Sequence, residues 1–259
     1  HQSETTGTPM QLSVFLPPQS GPRPVLWFLS GLTCTDQNVV TKGGFQRRAA
    51  ELGLIVVCPD TSPRGAGIEG EDDDWDLGTG AGFYLDATAE PWSKNYRMES
   101  YLVRELPSLL LPTLPANPGM QGIAGHSMGG HGAITLALKH PERYRSVSAF
   151  APITSPSQVP WGQKAFGAYL ADRSEWAAHD ANALVAKGRR CGHILIDQGN
   201  DDSFLDEQLR PELFAATCHE AGQDLTLRVH EGYDHSYFFI ATFMDDHLEH
   251  HANRLCIAP

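Results

Sequence analysis

Paired cysteines are missing from this chain. Five cysteines occur in 259 residues, at positions 34, 58, 191, 218 and 256, widely spaced and with no C-x-x-C. That pattern excludes a disulfide framework and a zinc ribbon, and fits reduced thiols in a cytoplasm. Basic charge is also scarce: 19 Lys and Arg face 31 Asp and Glu, a formal net of -12. Nucleic acid is therefore excluded as a partner, because phosphate binding needs a concentrated basic face. An anionic membrane surface is excluded on the same ground. Long apolar runs are absent too. Leu54–Val57 and Leu109–Leu111 are among the longest, far short of the roughly 18–20 residues of a bilayer span. The opening His1-Gln2-Ser3-Glu4 lacks the charged and apolar regions of a secretory signal. Without an initiator methionine it reads as a trimmed end.

What is present describes a globular chain. Hydrophobic residues make up 41% and charged residues 19%, too apolar a mixture for disorder. No internal repeat and no Ser/Gly linker divide it, so residues 1–259 read as one domain. Seven short apolar runs read as buried strands: Leu12–Leu16, Val25–Leu29, Leu54–Cys58, Met120–Ala124, Val147–Ala151, His193–Asp197 and Leu225–His230. Helical stretches lie between them at Gly129–Lys139, Phe204–Ala221 (with Gly222 as a C-terminal cap) and Tyr237–His251. This alternation predicts an α/β fold with a mostly parallel central sheet and helices on both faces. The first two strands, separated by Pro17–Pro24, are expected to pair as an antiparallel edge. Arg64–Trp92, rich in glycine and acid, and Pro152–Asp180 read as two long surface excursions, and loops of that length are often functional.

One motif carries chemistry. Gly125-His126-Ser127-Met128-Gly129 fits G-x-S-x-G, follows a predicted strand and opens a predicted helix. That context marks a nucleophile elbow, in which a sharp turn lifts the serine oxygen out of the sheet. A serine hydroxyl needs a base, and the base needs an orienting acid, in the chain order Ser, Asp or Glu, His. His235, in the loop Glu231–Ser236 between the last strand and the last helix, is the candidate base. His193 and His230 fall inside strands, and His247, His250 and His251 on the last helix. For the acid, Asp201, Asp202 and Asp206 all follow the strand that ends at Asp197, and pattern alone does not choose among them. An oxyanion hole needs two N–H donors, one after the nucleophile and one from the loop after an early strand. Met128 and Leu32, the latter in Ser30-Gly31-Leu32-Thr33-Cys34, supply that pair.

Other patterns have ordinary readings. His247-x-x-His250-His251 has metal-like spacing, but without a confirming acid or cysteine motif it reads as a solvated helix end. Asp72-x-Asp74-x-Asp76-x-Gly78 has a misplaced glycine and no terminal glutamate for a calcium loop, and reads as a solvated acidic loop. Cys34 reads as a packing residue of modest reactivity.

Several stretches together resemble the S-formylglutathione hydrolase (esterase D) family. They are Leu29–Thr35, Trp75–Tyr84, Asn95–Met98, Gly125–Ala133, Pro160–Phe166, Asp197–Gly199 and Glu231–Tyr237. In order, they span nearly the whole chain. The resemblance implies an α/β-hydrolase fold and hydrolysis of S-formylglutathione to glutathione and formate, with no metal or cofactor. It also selects the acid: the family's D-x-F-L reads here as Asp202-Ser203-Phe204-Leu205, giving a Ser127, Asp202, His235 triad. A small-molecule thioester is the implied partner, and a homodimer a candidate assembly. Because glutathione is net anionic, Lys94, Arg97 or Lys164 is expected to meet its carboxylates, with Trp161 as a wall. A general short-chain carboxylesterase and a non-catalytic hydrolase-fold binding protein are the alternative readings. Chains of the family begin further upstream with another edge strand, and the tail Cys256–Pro259 has no family counterpart.

Overall fold

In the computed structural model, which describes residues 1–255, each of the seven apolar runs contributes to a strand of one sheet. The strands are β1 (Leu12–Phe15), β2 (Arg23–Leu29), β3 (Ile55–Pro59), β4 (Ala116–His126), β5 (Tyr144–Phe150), β6 (Ile194–Gly199) and β7 (Leu225–His230). Their order across the sheet is β1-β3-β2-β4-β5-β6-β7. Every pairing is parallel except β1 with β3. The central strands are buried along almost their whole length, from Val25 to Leu29 and from Ile55 to Pro59. That is why they read as unbroken apolar runs rather than alternating ones: both faces are covered.

Several sequence expectations change. The antiparallel edge exists, but β1 lies against β3, with Leu12 opposite Pro59 and Phe15 opposite Val56. Strand β2 cannot accept β1, because its two edges are already taken by β3 and β4. The helix expected over Phe204–Ala221 is broken. A π-turn at Leu205–Leu209 ends at Arg210, whose φ is +51°, and a regular helix restarts over Pro211–Ala221. Pro211 has no N–H to continue the earlier turn, while Gly222 caps the end in the left-handed region as expected, at φ +69°. The two excursions are not surface loops. Phe83, Tyr84 and Leu85 of the first, and Phe166 and Tyr169 of the second, are core residues. The second carries a helix over Pro160–Tyr169.

The last helix, Tyr237–Leu255, runs past its expected end. Its histidines are not a solvated end. His247, His250 and His251 are buried against β5. His251 reaches the hydroxyls of Ser146 (2.7 Å) and Ser148 (2.9 Å), and His247 bridges Ser148 (2.9 Å) to Asp197 (3.2 Å). Asp197 also accepts from Arg228, at 2.6 and 2.5 Å. The sequence reading placed these rings in water, because i, i+3, i+4 spacing describes a buried face as well as an exposed one. Among the described residues no group of three or more His, Cys, Asp and Glu is arranged to hold a metal.

These buried imidazoles set an acid limit on the fold. Burial pushes His131 and His250 down to about 3 and His179 down to about 4. A histidine whose folded value lies below its unfolded value, near 6.5, binds fewer protons folded than unfolded between the two. Stability is therefore full above about pH 6.5 and falls as pH drops through the window from about 6.5 to 3, by about 1.4 kcal/mol for each unit of displacement. We expect Tm to decline below about pH 6.5, before carboxylates with ordinary values near 4 titrate. Differential scanning calorimetry across pH 8 to 4 reads this, and a flat Tm down to about pH 4.5 would contradict it.

Candidate active site

The helix Met128–Lys139 starts directly after β4, and Ser127 sits at the join with φ +57° and ψ -119°. A non-glycine residue seldom adopts that conformation, and it is held there by its surroundings. The Ser127 N–H donates to Phe150 O (2.9 Å), and Ser127 O accepts from His131 N (3.0 Å). The flanking glycines are required by close approach. A Cβ on Gly129 would lie 2.0 Å from Leu29 O, and one on Gly125 would lie 2.2 Å from Gly129 O. The helix start is thus pressed into the crossing of β2 and β4, and only glycine allows it.

The structure brings the candidate base and acid together from two loops at the same end of the sheet. His235 Nδ1 lies 2.6 Å from Asp202 Oδ2. Asp202 is buried and also accepts from Phe204 N (2.9 Å) and Gln198 Nε2 (3.2 Å). Its competitors Asp201 and Asp206 are exposed, and Asp234 accepts instead from Ser236 N (2.9 Å). Ser127 and His235 line one cavity of about 200 Å³, together with Leu32, Trp75, Trp161 and Phe204.

The loop after β2 closes against the serine: a Cβ on Gly31 would be 3.2 Å from Ser127 Cβ. The first excursion braces this loop. Thr33 N donates to Gly80 O (3.0 Å) and the Tyr84 hydroxyl to Ser30 O (2.7 Å), and Thr61, just before the excursion, donates from Oγ1 to Cys34 O (2.6 Å). Among the described residues, the N–H groups of Leu32 and Met128 have no hydrogen-bond acceptor. Met128 is the first residue of its helix, where the N–H has no partner within the helix. Cys34 also lines the cavity, and burial pushes its thiol up, so it is protonated at neutral pH.

Of the residues expected to meet substrate, Trp161 lines the cavity, edge-on to Trp75 at 5.6 Å and 4.8 Å from Phe204. The three cations do not. Lys164 forms ion pairs with Asp74 (3.0 Å) and Asp76, so it and the acidic loop brace the two excursions against each other. Lys94 and Arg97 are exposed and outside the cavity lining. Their segment is fixed by its aromatics, with Trp92 and Tyr96 packed on Tyr169, and the two charged side chains are left facing solvent.

Two features escaped sequence reading. Phe204 stands 5.1 Å from the His235 ring and helps wall the site; its place in D-x-F-L was the available signal. His126, the variable position of the elbow, packs 4.5 Å from the His235 ring. Burial, and next the neighbouring His235 charge, hold it well below the usual histidine range. It therefore stays neutral beside any cation formed on His235.

A second set of Ser, His and Asp side chains, Ser148, His247 and Asp197, is fully enclosed between β5, β6 and the last helix. All three are buried to within 1% of their surface. A nucleophile must meet its substrate, so this set serves packing.

Comparison with known proteins agrees with the fold and the motifs. Residues 3–250 match the esterase family described as "Putative esterase". The chain is 55% identical to S-formylglutathione hydrolase of Mus musculus, over 98% of this chain and 92% of that one. It is 54% identical to S-formylglutathione hydrolase of Paracoccus denitrificans, with the same coverage. The solved S-formylglutathione hydrolase of Agrobacterium tumefaciens superposes with a TM-score of 0.96 at 55% identity, covering 98% of this chain and 93% of that one. This chain belongs to the S-formylglutathione hydrolase family of α/β-hydrolase-fold esterases.

Proposed function

We propose that this protein hydrolyses S-formylglutathione to glutathione and formate, with Ser127 as nucleophile, His235 as general base and Asp202 as the acid that orients it. The observation that carries the residue roles is the 2.6 Å contact between His235 Nδ1 and Asp202, in a cavity that also presents Ser127 at a strained turn. Identity to named hydrolases carries the substrate.

The steps follow from these positions. The Ser127 hydroxyl attacks the formyl carbon while His235 Nε2 takes its proton. Asp202, accepting from Nδ1–H, fixes the tautomer and stabilises the imidazolium. The N–H groups of Leu32 and Met128 stabilise the tetrahedral oxyanion. Collapse breaks the C–S bond, and His235 returns the proton to the sulfur, releasing glutathione thiol. A thiol has an ordinary pKa near 8.5, so it leaves with less acid assistance than an amine. Water, deprotonated by His235, then attacks the formyl ester of Ser127, giving formate and the free serine.

The proposal extends to a small-molecule thioester as the partner, to a cytoplasmic location and to a homodimer. Cys34, Cys58, Cys191 and Cys218 are unpaired, in keeping with a reducing compartment. No described helix is long and apolar enough to cross a membrane.

A second reading, a short-chain carboxylesterase, has one observation in its favour: aromatic and aliphatic side chains and no Lys or Arg line the cavity. Comparison of kcat/KM for S-formylglutathione and p-nitrophenyl acetate separates the two. We expect the thioester to win by at least about a hundredfold, since remote binding energy from the thiol half is available to it alone. Equal values would favour the carboxylesterase.

A further inference from the structure

The thiol half of the proposed substrate carries two carboxylates and one ammonium, yet the cavity around Ser127 has no cation among its lining residues. A larger groove lies next to it. It has a volume of about 740 Å³ and is lined by Lys42, Ser236, Tyr237, Phe238 and Ala241. The two spaces are lined by neighbouring residues. Ser236 and Tyr237 follow His235 directly, and the Tyr237 ring lies 5.8 Å from His126, which in turn packs on His235.

Lys42 ends the short helix Gln37–Lys42 and is exposed. Its Nζ stands 5.9 Å from the centre of the Tyr237 ring. It forms no ion pair with any described acid, whereas Lys164, Arg64 and Arg210 beside the same end of the sheet are each held by carboxylates. Phe238, at the groove, is 87% exposed. An unpaired cation over an aromatic ring, in an open apolar groove lined by the residues that directly follow His235, suits an anionic peptide arm.

We propose that Lys42 binds a carboxylate of the thiol leaving group in this groove, with Tyr237 and Phe238 against the peptide portion. This rests on the thioester reading given above. Because the arm does not react, Lys42 contributes to substrate binding and leaves the chemical step alone.

The test uses Lys42→Gln, Lys42→Arg and the parent enzyme, each with S-formylglutathione and with p-nitrophenyl acetate at two ionic strengths. For Lys42→Gln we expect KM for the thioester to rise about tenfold, the lower end for a lost charge-assisted hydrogen bond, with kcat within about twofold. The ratio of thioester to ester kcat/KM falls by the same factor, and Lys42→Arg restores most of it. Raising the salt should weaken thioester binding in the parent enzyme and much less in Lys42→Gln. An unchanged KM, or an equal loss on both substrates, would overturn the assignment. A parent enzyme that cleaves the ester but not the thioester would instead overturn the substrate reading, and this inference with it.

Discussion

Replacing Ser127 by alanine is expected to lower kcat by roughly a millionfold, leaving about a thousandfold or more of rate over water from the oxyanion donors and binding. The loss is this large because serine, base and acid act as a unit. Removing the nucleophile idles the other two. The fold should be spared. Ser127 is held at φ +57° by backbone bonds to Phe150 and His131, and its hydroxyl makes no hydrogen bond to a described residue. Alanine meets the same backbone restraint with one atom fewer, so Tm should be nearly unchanged. Two measurements together check this: steady-state turnover of both substrates, and labelling by a fluorophosphonate probe. Parent enzyme should label and Ser127→Ala should not. Substantial residual turnover, or labelling that persists in the variant, would move the nucleophile elsewhere. A parent protein that neither labels nor turns over would restore the non-catalytic binding reading.

Asp202→Asn is expected to lower kcat by on the order of ten-thousandfold, while leaving KM and the fold close to those of the parent. The substitution keeps shape and most hydrogen bonds. An amide oxygen can still accept from Phe204 N or Gln198 Nε2, which now bond the carboxylate. What changes is the proton on the imidazole. An amide nitrogen facing Nδ1 donates to it and puts the ring proton on Nε2, where the base must be empty to accept from Ser127. The missing negative charge also leaves the imidazolium unsupported. Asp201→Asn and Asp206→Asn are the controls: both side chains are exposed, and each should stay within about twofold of the parent. A larger effect at either control than at Asp202, or a loss at Asp202 of less than about tenfold, would reassign the acid.

How much of this could be read from the sequence depended on whether a side chain's role is local. The strands were legible because a doubly covered parallel sheet demands unbroken Val, Ile, Leu and Phe runs. The elbow was legible because two glycines must stand where backbone presses on backbone. His235 followed from its loop between the last strand and last helix. The acid did not. Asp201, Asp202 and Asp206 fall within six residues of one another, and burial, which periodicity does not report there, separates them; the family pattern chose Asp202.

Partnering across the sheet was beyond reach as well. Nothing near Leu12 says that β2 has no free edge. The surroundings of the expected cations were out of reach for a related reason. Arg97 and Lys164 belong to the family's stretches and Lys94 adjoins one, but a motif does not say whether a charge is already neutralised, and Lys164 is. Lys42 carries no motif. It is an ordinary helix-ending lysine whose surroundings are created by a segment almost 200 positions later in the chain.

The histidine face of the last helix has a consequence for the reacting end of the molecule. A helix held to a sheet by aliphatic side chains alone can roll or slip at little penalty, since dispersion forces are tolerant of direction. Hydrogen bonds from imidazole to strand hydroxyls are not tolerant. A slip of one residue would strand Ser146 and Ser148 without partners inside the protein and leave Asp197 with Arg228 alone of the two side chains that donate to it. The first turn of the same helix emerges immediately after His235. The serine hydroxyls of β5 thus work as an index pin: they fix the azimuth of a rod whose far tip follows the proposed base, His235.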